Sequence, residues 1–253
     1  MTDSTDISIA SHDATPAVAG SSRARVPLAA AGAAVLMLAL GPVAGAAGPS
    51  PGDTYVYRLV NGYNQQARGH IEYRVDKIDA SGVTVTVTPD SSSAGTVRTE
   101  TYTKEGNWLR HPLESHGSKV TYKFATAYPA YVFPLDPGQA WSVRINATVL
   151  GEKTARSVRV DGKVLRTERI RVPAGEFDTV KIRRLVYPGD PNFDQMETQV
   201  IEFEWYAPAL GRAVRTERRS EWIEPNRCGI ASPCDFHGDW DVLELVEARA
   251  RRP

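Results

Sequence analysis

Four histidines lie beyond residue 46: His70, His111, His116 and His237. Histidine changes charge near neutral pH, so acid–base or metal chemistry is sought there first. None sits in an H-E-x-x-H, H-x-E or G-x-S-x-G setting. His111 and His116, five residues apart among Pro112, Ser115 and Gly117, read as an exposed loop. Cys228 and Cys234 enclose Gly-Ile-Ala-Ser-Pro, with Asp235, His237 and Asp239 just downstream. Two cysteines and one histidine at this spacing match no zinc pattern, and the C-x-x-C redox spacing is absent. In an oxidising compartment such a pair closes a small loop, so a Cys228–Cys234 disulfide is expected. One reading of Glu202 and Glu204 is an acid–base pair of the glycosidase kind. They alternate with Ile201, Phe203 and Trp205, however, and read as the solvated face of a strand, paired with cross-strand arginines such as Arg183 or Arg215. No phosphate-binding glycine loop is present. The sequence therefore predicts no catalytic residue, no metal site, no cofactor and no enzyme.

One cluster is unusual. Tyr122, Phe124, Tyr128, Tyr131 and Phe133 place five aromatics in twelve residues, among prolines. They are the candidate ligand-binding residues, lining the mouth of a sheet-enclosed cavity; the alternative is that they fill the core.

Two structural requirements bear on this chemistry. The first is export. Arg23 and Arg25 precede an uncharged apolar run, Val26–Leu40, then Gly41-Pro42 and Ala44-Gly45-Ala46. These are the positive, apolar and small-residue parts of a signal peptide, with cleavage expected after Ala46. The alternative is an uncleaved inner-membrane anchor. No cysteine stands directly after the apolar run, which excludes a bacterial lipoprotein anchor. The expected location is periplasmic or secreted. The whole chain has 253 residues, with 30 basic and 30 acidic side chains. Three of those acids and two of those bases fall in residues 1–46, and every aromatic falls beyond them. A near-neutral chain has no electrostatic purchase on nucleic acid.

The second is an all-β scaffold. Val83–Thr88 alternates strictly, and Tyr55–Leu59, Ile71–Val75, Val120–Phe124, Val180–Ile182 and Ile201–Trp205 are partly alternating and rich in β-branched or aromatic residues. Asn61-Gly62, Ser81-Gly82, Asp161-Gly162, Pro173-Ala-Gly175 and Pro208–Gly211 read as turns. About 11–12 antiparallel strands in a curved sheet are expected, as an open half-barrel or clam, with Asp241–Arg249 read as a terminal strand in preference to a short helix. Pro51-Gly-Asp-Thr-Tyr55-Val-Tyr-Arg58-Leu59 recurs as Pro137-Gly-Gln-Ala-Trp141-Ser-Val-Arg144-Ile145. That divides the chain into residues 1–46, a first β-meander over 51–136, a second over 137–224, and a disulfide-closed loop with terminal strand over 225–253.

Phe133-Pro-Leu-Asp-Pro-Gly138-Gln-Ala-Trp141, Val172-Pro-Ala-Gly-Glu-Phe177 and Trp205-Tyr-Ala-Pro-Ala-Leu-Gly211 occur in that order. The series resembles an uncharacterised family of exported bacterial β-rich domains with FPLxxGxxW, VPAGxF and WYAPxLG signatures. The resemblance covers roughly residues 130–220, and its architecture is similar to lipoprotein-carrier β-clams. It implies a non-enzymatic envelope protein holding a lipid or other apolar or amphipathic ligand on the concave face of a sheet. An envelope assembly module that docks a protein partner is the alternative, and a hydrolase built on scattered carboxylates stands third.

Overall fold

The computed structural model describes residues 48–93, 95–228 and 234–250. The expected signal peptide, residues 1–46, lies outside the described residues, as do residues 229–233 within the Cys228–Cys234 loop. The described residues form strands β1 Thr54–Asn61, β2 Ala67–Asp79, β3 Gly82–Pro89, β4 Arg98–Tyr102, β5 Trp108–Ser115, β6 Ser118–Tyr128 and β7 Ala140–Val149. They continue as β8 Ala155–Val172, β9 Gly175–Tyr187, β10 Gln199–Ala207, β11 Arg212–Glu224, β12 Cys234–His237 and β13 Asp241–Arg249. No helix is present among them. The all-β antiparallel class, the strand at 241–249 and the Cys228–Cys234 disulfide are as the sequence led us to expect.

Consecutive strands from β1 to β10 pair in order; β1 also pairs with β13, β13 with β11, and β11 with β10. Twelve strands therefore close into a barrel, so the curved sheet has no free long edge. β12 and β13 lie end to end along one edge of β11, β12 against residues 221–224 and β13 against 215–218. Closure follows from alternation. On β3 Val83, Val85 and Val87 are buried with the threonines between them more exposed, and on β9 Val180, Ile182, Arg184 and Val186 are buried while Lys181, Arg183 and Leu185 are more exposed. Each inward valine or isoleucine contributes about 1.5–3 kcal/mol of burial.

The two Pro-Gly segments adopt the same local arrangement. Gly52 and Gly138 have φ of 93° and 94°. Gly52 N–H donates to Val75 O at 2.7 Å and Val75 N–H to Asp53 O at 2.9 Å; Gly138 donates to Val164 O at 2.9 Å and Val164 to Gln139 O at 2.8 Å. A register shift follows each valine, between Val75 and Lys77 and between Val164 and Arg166. The left-handed φ explains the glycines, because a side chain there is strained.

Asp161-Gly162 is not a turn. Gly162 lies within β8, opposite Trp141 of β7. A β-carbon added at Gly162 would stand 2.0 Å from the Trp141 ring, so the indole lies directly on the glycine backbone, its N–H donating to Pro129 O at 3.1 Å. This is the close approach that a glycine within a strand permits. Gly162→Ala must displace the ring, and we expect it to cost about 1–3 kcal/mol. The urea midpoint measures this; an unchanged midpoint would mean that the ring moves aside freely.

Candidate functional site in the barrel interior

The barrel interior holds one continuous core and, beside it, a second buried cluster, with Tyr55, Tyr57, Leu59, Ile71 and Val75 among its members, that surrounds a cavity. Side chains of β5–β10, among them Tyr122, Phe124, Tyr128, Val158, Val160 and Ile182, pack into a continuous core. Between β1–β5 on one side and β10, β11 and β13 on the other lies a cavity of about 380 Å³. That is within the range of small-molecule sites. Its apolar wall comes from alternate residues of neighbouring strands: Leu59 of β1, Ile71 and Val75 of β2, Val83 and Val85 of β3, and Leu243 of β13. Tyr55, Tyr57, Tyr73 and Tyr102 add rings, and Arg98, His111, Glu204, Arg212 and Arg218 supply a polar wall.

The polar wall is a set of buried pairs fixed by register. On β10 the inward face is Val200, Glu202, Glu204 and Tyr206, whereas Ile201 and Phe203 point outward and are only half-buried. Glu202 and Glu204 are therefore not a solvated face. Alternation alone does not say which face is inside, and here the carboxylates are. Glu202, fully buried, stands between Arg184 of β9 and Arg218 of β11, both in register with it. Arg184 Nε donates to Glu202 at 3.0 Å, and Arg218 Nε donates to its other oxygen at 2.6 Å. Arg184 also bonds Glu204 through Nη2 and Ala130 O through Nη1, the latter at 2.9 Å. Tyr131 Oη donates to Glu204. Burial by itself would push the Glu202 carboxyl up, but the two guanidiniums outweigh it and hold the group at about 2.

Beside it, β4 brings Arg98, Glu100 and Tyr102 to the same face. Glu100 is fully buried; Arg98 Nε donates to it at 2.7 Å, and Tyr102 Oη and His111 Nδ1 meet its other oxygen, the histidine at 2.9 Å. Burial opposes ionisation of Glu100, yet its partners keep it well below the ordinary carboxylate range. His111 is pulled below its usual value by burial first, with Arg218 adding to that against Glu100. A neutral imidazole facing an ionised carboxylate must carry its proton on Nδ1. That leaves Nε2 as an acceptor, 3.4 Å from Arg218 Nη2. Trp108 stacks on His111 at 3.8 Å and on Tyr128 at 4.3 Å. His111 is thus buried in β5 rather than exposed in a loop. Pro112 is tolerated because β4 pairs with β5 only at Thr101–Arg110 and Tyr102–Trp108, so no β4 partner awaits its missing N–H.

The five aromatics taken from the sequence separate. Tyr122, Phe124 and Tyr128 lie in the packed core, Tyr131 lines the cavity, and Phe133 is 49% exposed. Tyr122 donates to Pro188 O at 3.2 Å and accepts from Arg156. The tyrosines of β1 and β2 and Arg212 line the cavity but were not singled out. Their signal was faint: Tyr55-Val-Tyr57 and Ile71-Glu-Tyr73 alternate as any strand does, and only closure brings them to Arg212. Glu100 and His111 form a carboxylate–histidine pair, but the free imidazole nitrogen faces a guanidinium and not a nucleophile. The arrangement can hold a ligand by apolar contact and hydrogen bonds. Among the described residues, no three His, Cys, Asp or Glu side chains are grouped to hold a metal ion.

No protein-family model and no curated protein matches the sequence. Three solved structures resemble the fold at low similarity. One is a Bacteroides fragilis NCTC 9343 protein described as a "putative exported protein with YmcC-like fold", with TM-score 0.46 and 16% identity over 80% of this chain and 97% of that one. The second is a "putative lipoprotein" of Parabacteroides distasonis ATCC 8503, with TM-score 0.46 and 16% identity over 79% of this chain and 97% of that one. The third is the hypothetical lipoprotein YmcC of Escherichia coli K12, with TM-score 0.38 and 11% identity over 80% and 87%.

Proposed function

We propose that the protein is a non-enzymatic, exported binding protein whose barrel interior holds one apolar or amphipathic ligand. The observation that carries this reading is the asymmetric interior. One half is closed by its own side chains, while the other keeps about 380 Å³ between an aliphatic and tyrosine wall and a polar wall. A cavity lined by apolar groups with a few placed polar ones is the usual form of a small-molecule site. The ion pairs of the polar wall are already satisfied, so they shape the cavity without requiring a reacting partner.

Titration with a neutral fluorescent probe, N-phenyl-1-naphthylamine, tests this. The probe should bind with enhanced emission. Val85→Trp, which puts an indole where a valine now lines the cavity, should abolish binding while leaving the β-sheet circular dichroism intact. Binding that survives this substitution would place the probe elsewhere and remove the cavity from the proposal. Export is tested by fractionating cells that express the full chain: a mature N-terminus near residue 47 in the extracytoplasmic fraction supports it, and an intact cytoplasmic chain overturns it.

A further inference from the structure

Most charges on the cavity wall cancel in pairs. Arg98 faces Glu100, Arg218 faces Glu202, Arg184 faces Glu204, and Lys119 faces Asp241. Lys104, which is exposed, and Arg212 do not fit this scheme. Arg212 lies at the start of β11 and lines the cavity, and no carboxylate pairs with it among the described residues. Its neighbours are phenols. The guanidinium sits 3.6 Å above the Tyr55 ring, with Tyr57 at 5.4 Å and Tyr73 at 5.7 Å. Its Nε donates to Tyr57 Oη at 2.8 Å, and that hydroxyl spends its own proton on Ala213 O at 2.6 Å. One edge of the guanidinium is thereby fixed, while both terminal nitrogens make no hydrogen bond to the described residues. The hydroxyls of Tyr55 and Tyr73 also find no protein partner there.

A planar cation held on three rings, with its two terminal nitrogens free and aliphatic side chains on the facing wall, is complementary to an anionic head on an apolar chain. Resting on the cavity reading above, we propose that Arg212 is the head-group anchor of the site. The ligand class is then an amphipathic anion, a long-chain carboxylate in its simplest form, with its chain against Leu59, Ile71, Val75, Val83 and Val85. Tyr55 and Tyr73 offer phenol donors to the same oxygens. The phenols keep the guanidinium in place at no cost in charge, since they do not compete with the ligand as a carboxylate would.

The experiment uses three probes on the wild-type protein: palmitate, its methyl ester and butyrate, followed by calorimetry or by displacement of N-phenyl-1-naphthylamine. Palmitate should bind most tightly, the ester more weakly, and butyrate not measurably. Arg212→Met should weaken palmitate by about 10- to 100-fold, the range for losing a charge-assisted pair, and leave the ester within about two-fold. Arg212→Lys, which keeps the charge but not the planar pair of donors, should fall between. The unchanged ester serves as the check that Arg212→Met still folds. If palmitate and ester weaken together, or neither changes, Arg212 is a packing residue and the anchor role is overturned. If butyrate binds as tightly as palmitate, the site takes a free anion and the amphipathic class is wrong. If wild type binds none of the three while the neutral dye still binds, the anchor fails and the cavity reading stands. If the dye fails too, both fall.

Discussion

Arg184→Met should lower the stability of the protein by about 3–5 kcal/mol, the range for removing one partner of a buried ion pair. The guanidinium is 1% exposed and serves three acceptors at once: Glu202, Glu204 and the carbonyl of Ala130. Methionine fills much of the same volume, so the loss is not a cavity effect. What remains is Glu204, buried with only Tyr131 donating to it, and a linker carbonyl without its donor. Glu202 keeps Arg218 and suffers less. Urea unfolding followed by tryptophan fluorescence gives the number. Arg166→Met is the control: that arginine is 57% exposed and pairs with Glu168 on the surface, where such pairs contribute at most about 1 kcal/mol. If the two substitutions cost the same, water reaches Arg184 and the interior is not the dry, paired wall described here. A triple replacement of Arg184, Glu202 and Glu204 by apolar residues of similar size should recover part of the loss, because no charge is then stranded.

The strands were legible because period-two alternation survives whichever face is buried. Val83–Val87 and Ile201–Trp205 both announced a strand, and both are strands. Only the first announced its inward face correctly. On β10 Ile201 and Phe203 face away from the acidic stripe and are half-buried, while Trp205 on the same side is buried, with Lys181 4.2 Å from its ring and Glu168 accepting from its indole N–H at 2.8 Å. The acidic stripe points in, because β9 and β11 present Arg184 and Arg218 at matching register. Polarity pattern assigns faces by assuming that charge prefers water; a buried arginine on each neighbouring strand reverses that preference, and the pairing is a property of the closed sheet rather than of any segment. His111 was hidden for a related reason. Proline, serine and glycine around it are turn residues in isolation, but a barrel with a short β4 accommodates Pro112 in a strand. Glycine gave the opposite error at Gly162, where the residue makes room for Trp141 instead of turning the chain. The cavity itself has no local signature, since its wall is drawn from residues as distant as Tyr55 and Leu243.

Lowering the pH from 7 should destabilise the protein in two stages, and His111→Gln should remove the first. The His111 value in the folded protein lies below its ordinary value of 6.5, through burial and then Arg218. Over the interval between folded and unfolded values the unfolded chain binds the extra proton, so stability falls as pH drops below about 6.5 and stops falling at the folded value. Glu202 acts in the same direction from lower down. Its folded value is about 2 against an ordinary 4.5, so the stability it contributes is complete above 4.5 and is lost as pH falls toward about 2. That difference is worth about 3 kcal/mol at neutral pH. Glu100, also held down by its partners, adds to this second stage. Glutamine at position 111 retains an N–H to offer Glu100 but takes up no proton. The variant should therefore show a flat thermal midpoint from pH 7.5 to 5 and the same decline below 4.5 as wild type. The other described histidines do not share this environment: His70 is exposed beside Asp90, and His116 and His237 lie outside the interior. A first stage that persists in His111→Gln would assign it to one of them, and would mean that the Glu100–His111 pair is protonated in the folded protein without penalty. A first stage that vanishes while the second remains would tie the acid response of the barrel to the polar wall of its cavity. Acidification would then loosen the wall that carries Arg98 and Arg218 before the aliphatic wall is affected.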